Sequence, residues 1–203
     1  MSKRRGTLWI VIGLLLLLGA AGLTVYNMHE EKNAGEESEA VVEELSVALT
    51  DAIEHTEVIK SPVTEPVAVS EPEPEPIELD GRYYMGLISF PSLNLQLPVQ
   101  HEWSYENLKI SPCRMKGSPA TEDLVILAHN YRTHFGPLNR LSVGDEVSVM
   151  LLDGTVYVYK VSAREVVAPT AVENVTNGDW PLTLFTCTLG GRTRLVIRCD
   201  WAE

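Results

Sequence analysis

Three cysteines stand in this chain, at Cys113, Cys187 and Cys199. In an exported protein an odd number leaves at least one thiol without an intramolecular partner, and a free thiol is a candidate nucleophile. The competing role is that of a small buried hydrophobe, which suits free cysteine well. Position separates the three. Cys187 ends the apolar run Leu182-Thr183-Leu184-Phe185-Thr186 and is followed by Thr188-Leu189-Gly190-Gly191. A strand end meeting a glycine turn lets a side chain project from a rigid scaffold, with backbone amides near enough to meet an oxyanion. Cys113 and Cys199 have less informative settings, and a disulfide between them stays open because sequence does not give its geometry.

A nucleophilic thiol needs a proton partner. His129 closes the run Leu124-Val125-Ile126-Leu127-Ala128, a strand-end position like that of Cys187. His134 lies five residues later in a polar loop and is the second choice; His101 follows another apolar run. His29 and His55 fall in a spacer and are set aside. A cation would complete the chemistry by stabilising a thiolate or a developing oxyanion. Arg192, Arg194 and Arg198 all follow Cys187. Alternation puts the three on one strand face, so parity cannot choose among them.

The elements that must hold these residues are short strands. Apolar or alternating runs cover 83–90, 93–99, 124–129, 146–152, 155–167, 182–186 and 194–198. Asp153-Gly154 between two of them predicts a hairpin. Helical patterns are few, at 105–110, 135–141 and 170–177. Seven or eight short strands in about 125 residues predict a closed or nearly closed β-barrel over residues 79–203.

Upstream the composition changes. Residues 1–7 carry Lys3, Arg4 and Arg5, and 8–26 form an uncharged apolar run. About 19 residues at 1.5 Å each span roughly 28 Å, close to the hydrocarbon thickness of a bilayer. Basic residues before the run and Glu30 and Glu31 after it predict a single-pass anchor with a cytoplasmic N-terminus and an extracellular domain. The alternative is a cleaved signal peptide with Gly19-Ala20-Ala21-Gly22 as the small-residue site. Residues 27–78 read as an acidic, proline-rich spacer. Val42, Leu45, Leu49 and Ile53 are helically spaced but make a thin face, which predicts a fraying or self-associating stub. Residues 61–78 alternate Pro with Glu and predict extended polyproline II, roughly 50 Å for about 16 residues. The formal charge of -12 argues against a nucleic-acid partner, which needs clustered Lys and Arg.

These motifs resemble those of the sortase family. Thr183-Leu184-Phe185-Thr186-Cys187, with an arginine opening the next strand, is similar to its cysteine signature, and Leu127-Ala128-His129-Asn130 to its histidine segment. Tyr84 to Leu93 and Leu97-Pro98-Val99 resemble the start of its domain. The resemblance runs from about Tyr83 to the C-terminus. It implies a closed eight-stranded β-barrel with a few short helices. It also implies a cysteine transpeptidase that cleaves a C-terminal sorting signal of exported proteins through a thioacyl intermediate. The acyl group then passes to an amine of peptidoglycan or its lipid-linked precursor. Carried over by position, Cys187 is the nucleophile, His129 the general acid and Arg194, rather than Arg192, the residue that holds the peptide and stabilises the oxyanion. No cofactor or metal is implied.

Ala128 stands where the family commonly has glycine. The short connection from Val167 to Leu182, and the lack of an apolar segment after Arg198, favour attachment of single proteins over pilus building. Two other readings compete. One is another envelope cysteine enzyme, an L,D-transpeptidase or wall peptidase, although Thr186-Cys187-Thr188 lacks the S-x-G-C-like setting of the former. The other is a non-enzymatic anchored binding or assembly module.

Overall fold

The computed structural model describes residues 2–50, 58–59 and 73–202. It divides into two units, residues 1–33 and 34–203. Helix α1, Ser2–Ala48, runs through the first unit and into the second. Its apolar stretch is long enough to cross a membrane, and Leu8, Trp9, Leu14 to Leu18 and Leu23 are exposed on it.

Among its described residues the second unit contains ten strands. They are β1 (Val58–Ile59), β2 (Ile77–Leu79), β3 (Arg82–Phe90), β4 (Leu95–Gln100), β5 (Cys113–Lys116), β6 (Leu124–Ala128), β7 (Glu146–Leu151), β8 (Val156–Val167), β9 (Leu182–Cys187) and β10 (Arg194–Trp201). The order β8-β10-β9-β6-β5-β4-β3 is closed by β7, which pairs with both β3 and β8. These eight strands therefore form a closed mixed barrel, and β1 and β2 are short additions to it. Two helices, α2 (Tyr105–Leu108) and α3 (Val172–Thr176), and two 3₁₀ turns, Pro91–Leu93 and Gly136–Arg140, complete the unit. The Asp153-Gly154 hairpin is present. Gly154 takes φ +85°, and the Asp153 carboxylate accepts the Thr155 amide at 2.9 Å.

Alternation fills the barrel. Leu124, Ile126 and Ala128 of β6, Leu182 and Leu184 of β9, and Leu195, Ile197 and Cys199 of β10 share one interior core with Ile88, Phe90 and Tyr159. The other face of each strand must then point outward. In β3 a bulge between Tyr84 and Gly86 shifts the alternation. Met85, Ile88 and Phe90 point in, while Tyr84 and Leu87 point out. Gly86 takes φ +150°, and a Cβ there would lie 1.9 Å from the Met150 carbonyl oxygen of β7, so only glycine fits.

The outward pair Tyr84 and Leu87 explains the main departure from the sequence reading. Helix α1 does not end near Tyr26, and the expected fraying stub is buried as far as Leu49, while Ile53 lies outside the described residues. Val41, Leu45 and Leu49 lie at helical spacing and pack on Tyr84 and Leu87, with Leu45 fully buried. Ala34 and Ser38 continue the same buried seam. The face is thin because it meets one outer patch of a barrel. Most of the expected proline-rich extension, residues 61–72 of 61–78, lies outside the described residues.

Candidate active site

Strands β6 and β9 run parallel, with Ala128 opposite Thr186 and Leu127 opposite Phe185. One step further on each strand brings His129 and Cys187 to the same level, on neighbouring strands about 4.8 Å apart. Hydrogen bonds bracket this level. Below it the Thr186 hydroxyl donates to the Ala128 carbonyl at 2.8 Å; above it the Asn130 amide donates to the Thr188 carbonyl at 3.4 Å. On the other side of β9, antiparallel β10 places Arg194 directly opposite Cys187. Facing residues of an antiparallel pair have Cβ atoms about 4.5–5.5 Å apart. Cys187 thus stands between His129 and Arg194, all three half-buried and on the outer face.

The register separates the three arginines, which alternation could not do. Arg192 lies exposed in the turn before β10. Arg198 faces Thr183, far down the same strand face, and is 4% exposed. Its guanidinium donates to the Glu165 carboxylate at 3.1 Å, the Val175 carbonyl at 2.9 Å and the Thr183 hydroxyl at 3.0 Å. It ties β10 to β8 and to the connection bearing α3. That connection covers the outer face around Thr183, while Leu127 and Phe185 remain half-exposed beside Cys187. Arg194 makes lighter contacts. Its Nη1 donates to the Gly191 and Thr193 carbonyls at 3.0 and 3.1 Å. Of the turn's backbone amides, those of Thr188 and Gly191 donate to the hairpin's own Thr193 and Thr188 carbonyls.

The three thiols are unbridged, so the open disulfide between Cys113 and Cys199 does not form. Both are fully buried, and burial drives both thiols upward, Cys113 to about 12 and Cys199 further still. A thiol held protonated in the core is a hydrophobe, not a nucleophile. Cys187 alone of the three is half-exposed.

The histidines separate just as clearly. His134 is fully buried, with Nε2 donating to the Ile110 carbonyl at 3.0 Å. Its Nδ1 has no hydrogen-bond partner among the described residues. Burial first, and the neighbouring His129 second, hold its pKa down at about 4. His101 lies against Arg114, and burial followed by that charge lowers its pKa as well. It lines a cavity of about 570 Å³ with Glu73, Trp103 and Arg114, to which none of His129, Cys187 and Arg194 contributes. The candidate site is a strip across three strand ends rather than that cavity. His129 stacks on Tyr131, ring centroids 4.9 Å apart and planes at 29°, a neighbour that sequence reasoning missed. Among the described residues no cluster of His, Cys, Asp and Glu could hold a metal ion.

Comparison with known proteins places the barrel in a family. The family profile for the Sortase domain matches residues 88–202. Among solved structures, sortase C1 from Streptococcus agalactiae is 30% identical with a TM-score of 0.53, covering 62% of this chain and 71% of its own. Sortase C from Clostridium perfringens SM101 is 21% identical with a TM-score of 0.53, covering 90% of this chain and 99% of its own. A Clostridium perfringens Sortase D5 transpeptidase is 19% identical at the same TM-score, covering 59% and 79%. A search of curated proteins found no match. The profile spans more than half of the chain and the same barrel recurs in these structures, so the chain belongs to the sortase family of cell-wall transpeptidases.

Proposed function

We propose that this chain is an extracellular cysteine transpeptidase that cleaves a C-terminal sorting signal of exported proteins and joins them to an amine of the cell wall. The observation that carries this reading is the register that sets Cys187 between His129 on β6 and Arg194 on β10. In the first step the Cys187 sulfur attacks a backbone carbonyl of the sorting signal. The Arg194 guanidinium, held through Nη1 by the Gly191 and Thr193 carbonyls, stabilises the oxyanion. Collapse of the tetrahedral adduct breaks the C–N bond, and His129 gives its proton to the departing amine. In the second step an acceptor amine from peptidoglycan or its lipid-linked precursor attacks the thioester. It returns a proton to His129 as the C–S bond breaks. The half-exposed Leu127 and Phe185 supply an apolar floor beside the thiol for an extended peptide. Residues 8–26 anchor the chain, with the N-terminus cytoplasmic.

The test uses the full-length protein in detergent, a library of sorting-type peptides and a set of amine acceptors, with products read by mass spectrometry. Joined products are expected from wild type. His129→Ala should slow their formation by about 10²- to 10⁴-fold, the usual contribution of general acid–base catalysis. Wild type that forms no joined product with any peptide and acceptor, or His129→Ala that works as fast as wild type, contradicts the proposal.

A further inference from the structure

The loop that carries His129 is held from behind by helix α1. Residues 129–136 fold back on themselves. The Phe135 amide donates to the His129 carbonyl at 3.1 Å, and the amides of His134 and Gly136 donate to the Tyr131 carbonyl at 3.0 and 2.9 Å. Tyr131 lies between two imidazoles, its ring centroid 4.9 Å from that of His129 and 5.3 Å from that of His134. On the far side of the loop stands α1. The Ser38 hydroxyl donates to the Ile110 carbonyl, which also accepts from His134 Nε2, and Ser38 Oγ lies 3.3 Å from that nitrogen. Ser38 is 3% exposed and His134 fully buried. One turn earlier, a Cβ at Gly35 would sit 2.5 Å from Thr133 Cγ2 and 3.0 Å from Thr133 Cβ. Glycine is disfavoured inside a helix, and here its lack of a side chain lets the helix backbone touch the loop.

A buried serine, a buried neutral histidine and an interior glycine are thus concentrated where α1 meets the loop, and the reaction uses none of them. We infer that Ser38 and His134 are positioning residues. They fix the loop, and through the Tyr131 stack they set the orientation of the His129 imidazole beside Cys187. The inference rests on the transpeptidase reading for its rate effect. The effect on the ring itself does not depend on that reading.

The experiment uses the full-length protein in detergent with its histidines ¹³C-labelled; five histidines make the His129 signal assignable by its loss in His129→Ala. Ser38→Ala and Gly35→Val are compared with wild type for the His129 ring signal, for melting temperature and for transfer of the best peptide from the library. The expected result is a displaced His129 signal in both variants, with kcat lowered roughly tenfold by Ser38→Ala and about 10²-fold by Gly35→Val at nearly unchanged KM. A His129 signal at its wild-type position in both variants overturns the inference, whatever happens to the melting temperature. So does a displaced signal accompanied by unchanged kcat in an active protein. Displaced signals in a protein whose wild type transfers no peptide support the positioning and count against the transpeptidase reading alone.

Discussion

Each reactive residue type of this barrel occurs in two settings, and the comparison shows what the fold assigns to each. Arg194 and Arg198 lie four residues apart on one face of β10. Arg198 is sealed beneath the α3 connection with three strong acceptors, whereas Arg194 sits half-exposed on carbonyls of its own turn. Cys199 lies in the interior core, and Cys187 stands on the outer face at a strand end. His134 is buried and His129 half-buried, five residues apart in one loop. In every pair the sealed member has its polar demand met, or its ionisation suppressed, by burial. The other keeps chemistry available. The open members gather at one level of β6, β9 and β10, and this coincidence supports a site more strongly than any one residue does.

The widest gap should appear in thiol labelling. An alkylating reagent applied to the native protein should modify Cys187 at least about 10³-fold faster than Cys113 or Cys199, because the buried pair is reached only through opening of the core. Equal rates at Cys187 and Cys199, read by peptide mapping, would erase the contrast. The two arginines come next. Arg194→Lys should lower transfer by about 10²-fold with little change in melting temperature, since a lysine cannot reproduce the guanidinium fork. Arg198→Met should instead cost about 2–4 kcal/mol of stability, leaving the Val175 carbonyl and Thr183 hydroxyl without their donor. A denaturant titration beside a rate assay separates the two outcomes.

A third test concerns the helix. A chain that starts at Leu79 uncovers Tyr84 and Leu87, so it should melt roughly 15 °C or more below a chain that starts at Glu30. Equal melting temperatures would mean that residues 34–49 add nothing to the barrel. The last test is a pH slope from His134. Above pH 6.5 its ring is neutral in both folded and unfolded chains. On acidification the unfolded ring, near 6.5, takes up a proton well before the folded ring, near 4. Stability contributed by the neutral buried ring is therefore complete above pH 6.5 and is lost as pH falls towards 4, on the order of 3 kcal/mol. His134→Asn should flatten that part of the stability–pH curve; an unchanged slope would show that other groups produce it.

Much of the barrel was legible because its strands are long enough to alternate. The runs ending at Ala128 and Thr186 gave both the strands and the strand-end positions of His129 and Cys187. Strand β5, Cys113–Lys116, was not visible: four residues with two cations and a bulge carry no period, and a single pairing joins it to β4. The choice of Arg194 required the register between β9 and β10, which no local pattern encodes. The docked end of α1 was hidden for another reason. Its contact with the loop is made by Gly35 and Ser38, whose value lies in being small and so allowing close approach. Small residues leave no hydropathy signal, and among so many glutamates they read as spacer.

The central claim is that Cys187 carries the acyl group between its two amine partners. The most direct measurement is the intact mass of the full-length protein incubated with a productive peptide and no acceptor, followed by peptide mapping and hydroxylamine release. The expected result is a hydroxylamine-sensitive acyl adduct on Cys187, absent in Cys187→Ala and discharged when the acceptor amine is added. An adduct on another residue, or joined product formed at the wild-type rate by Cys187→Ala, would contradict the account.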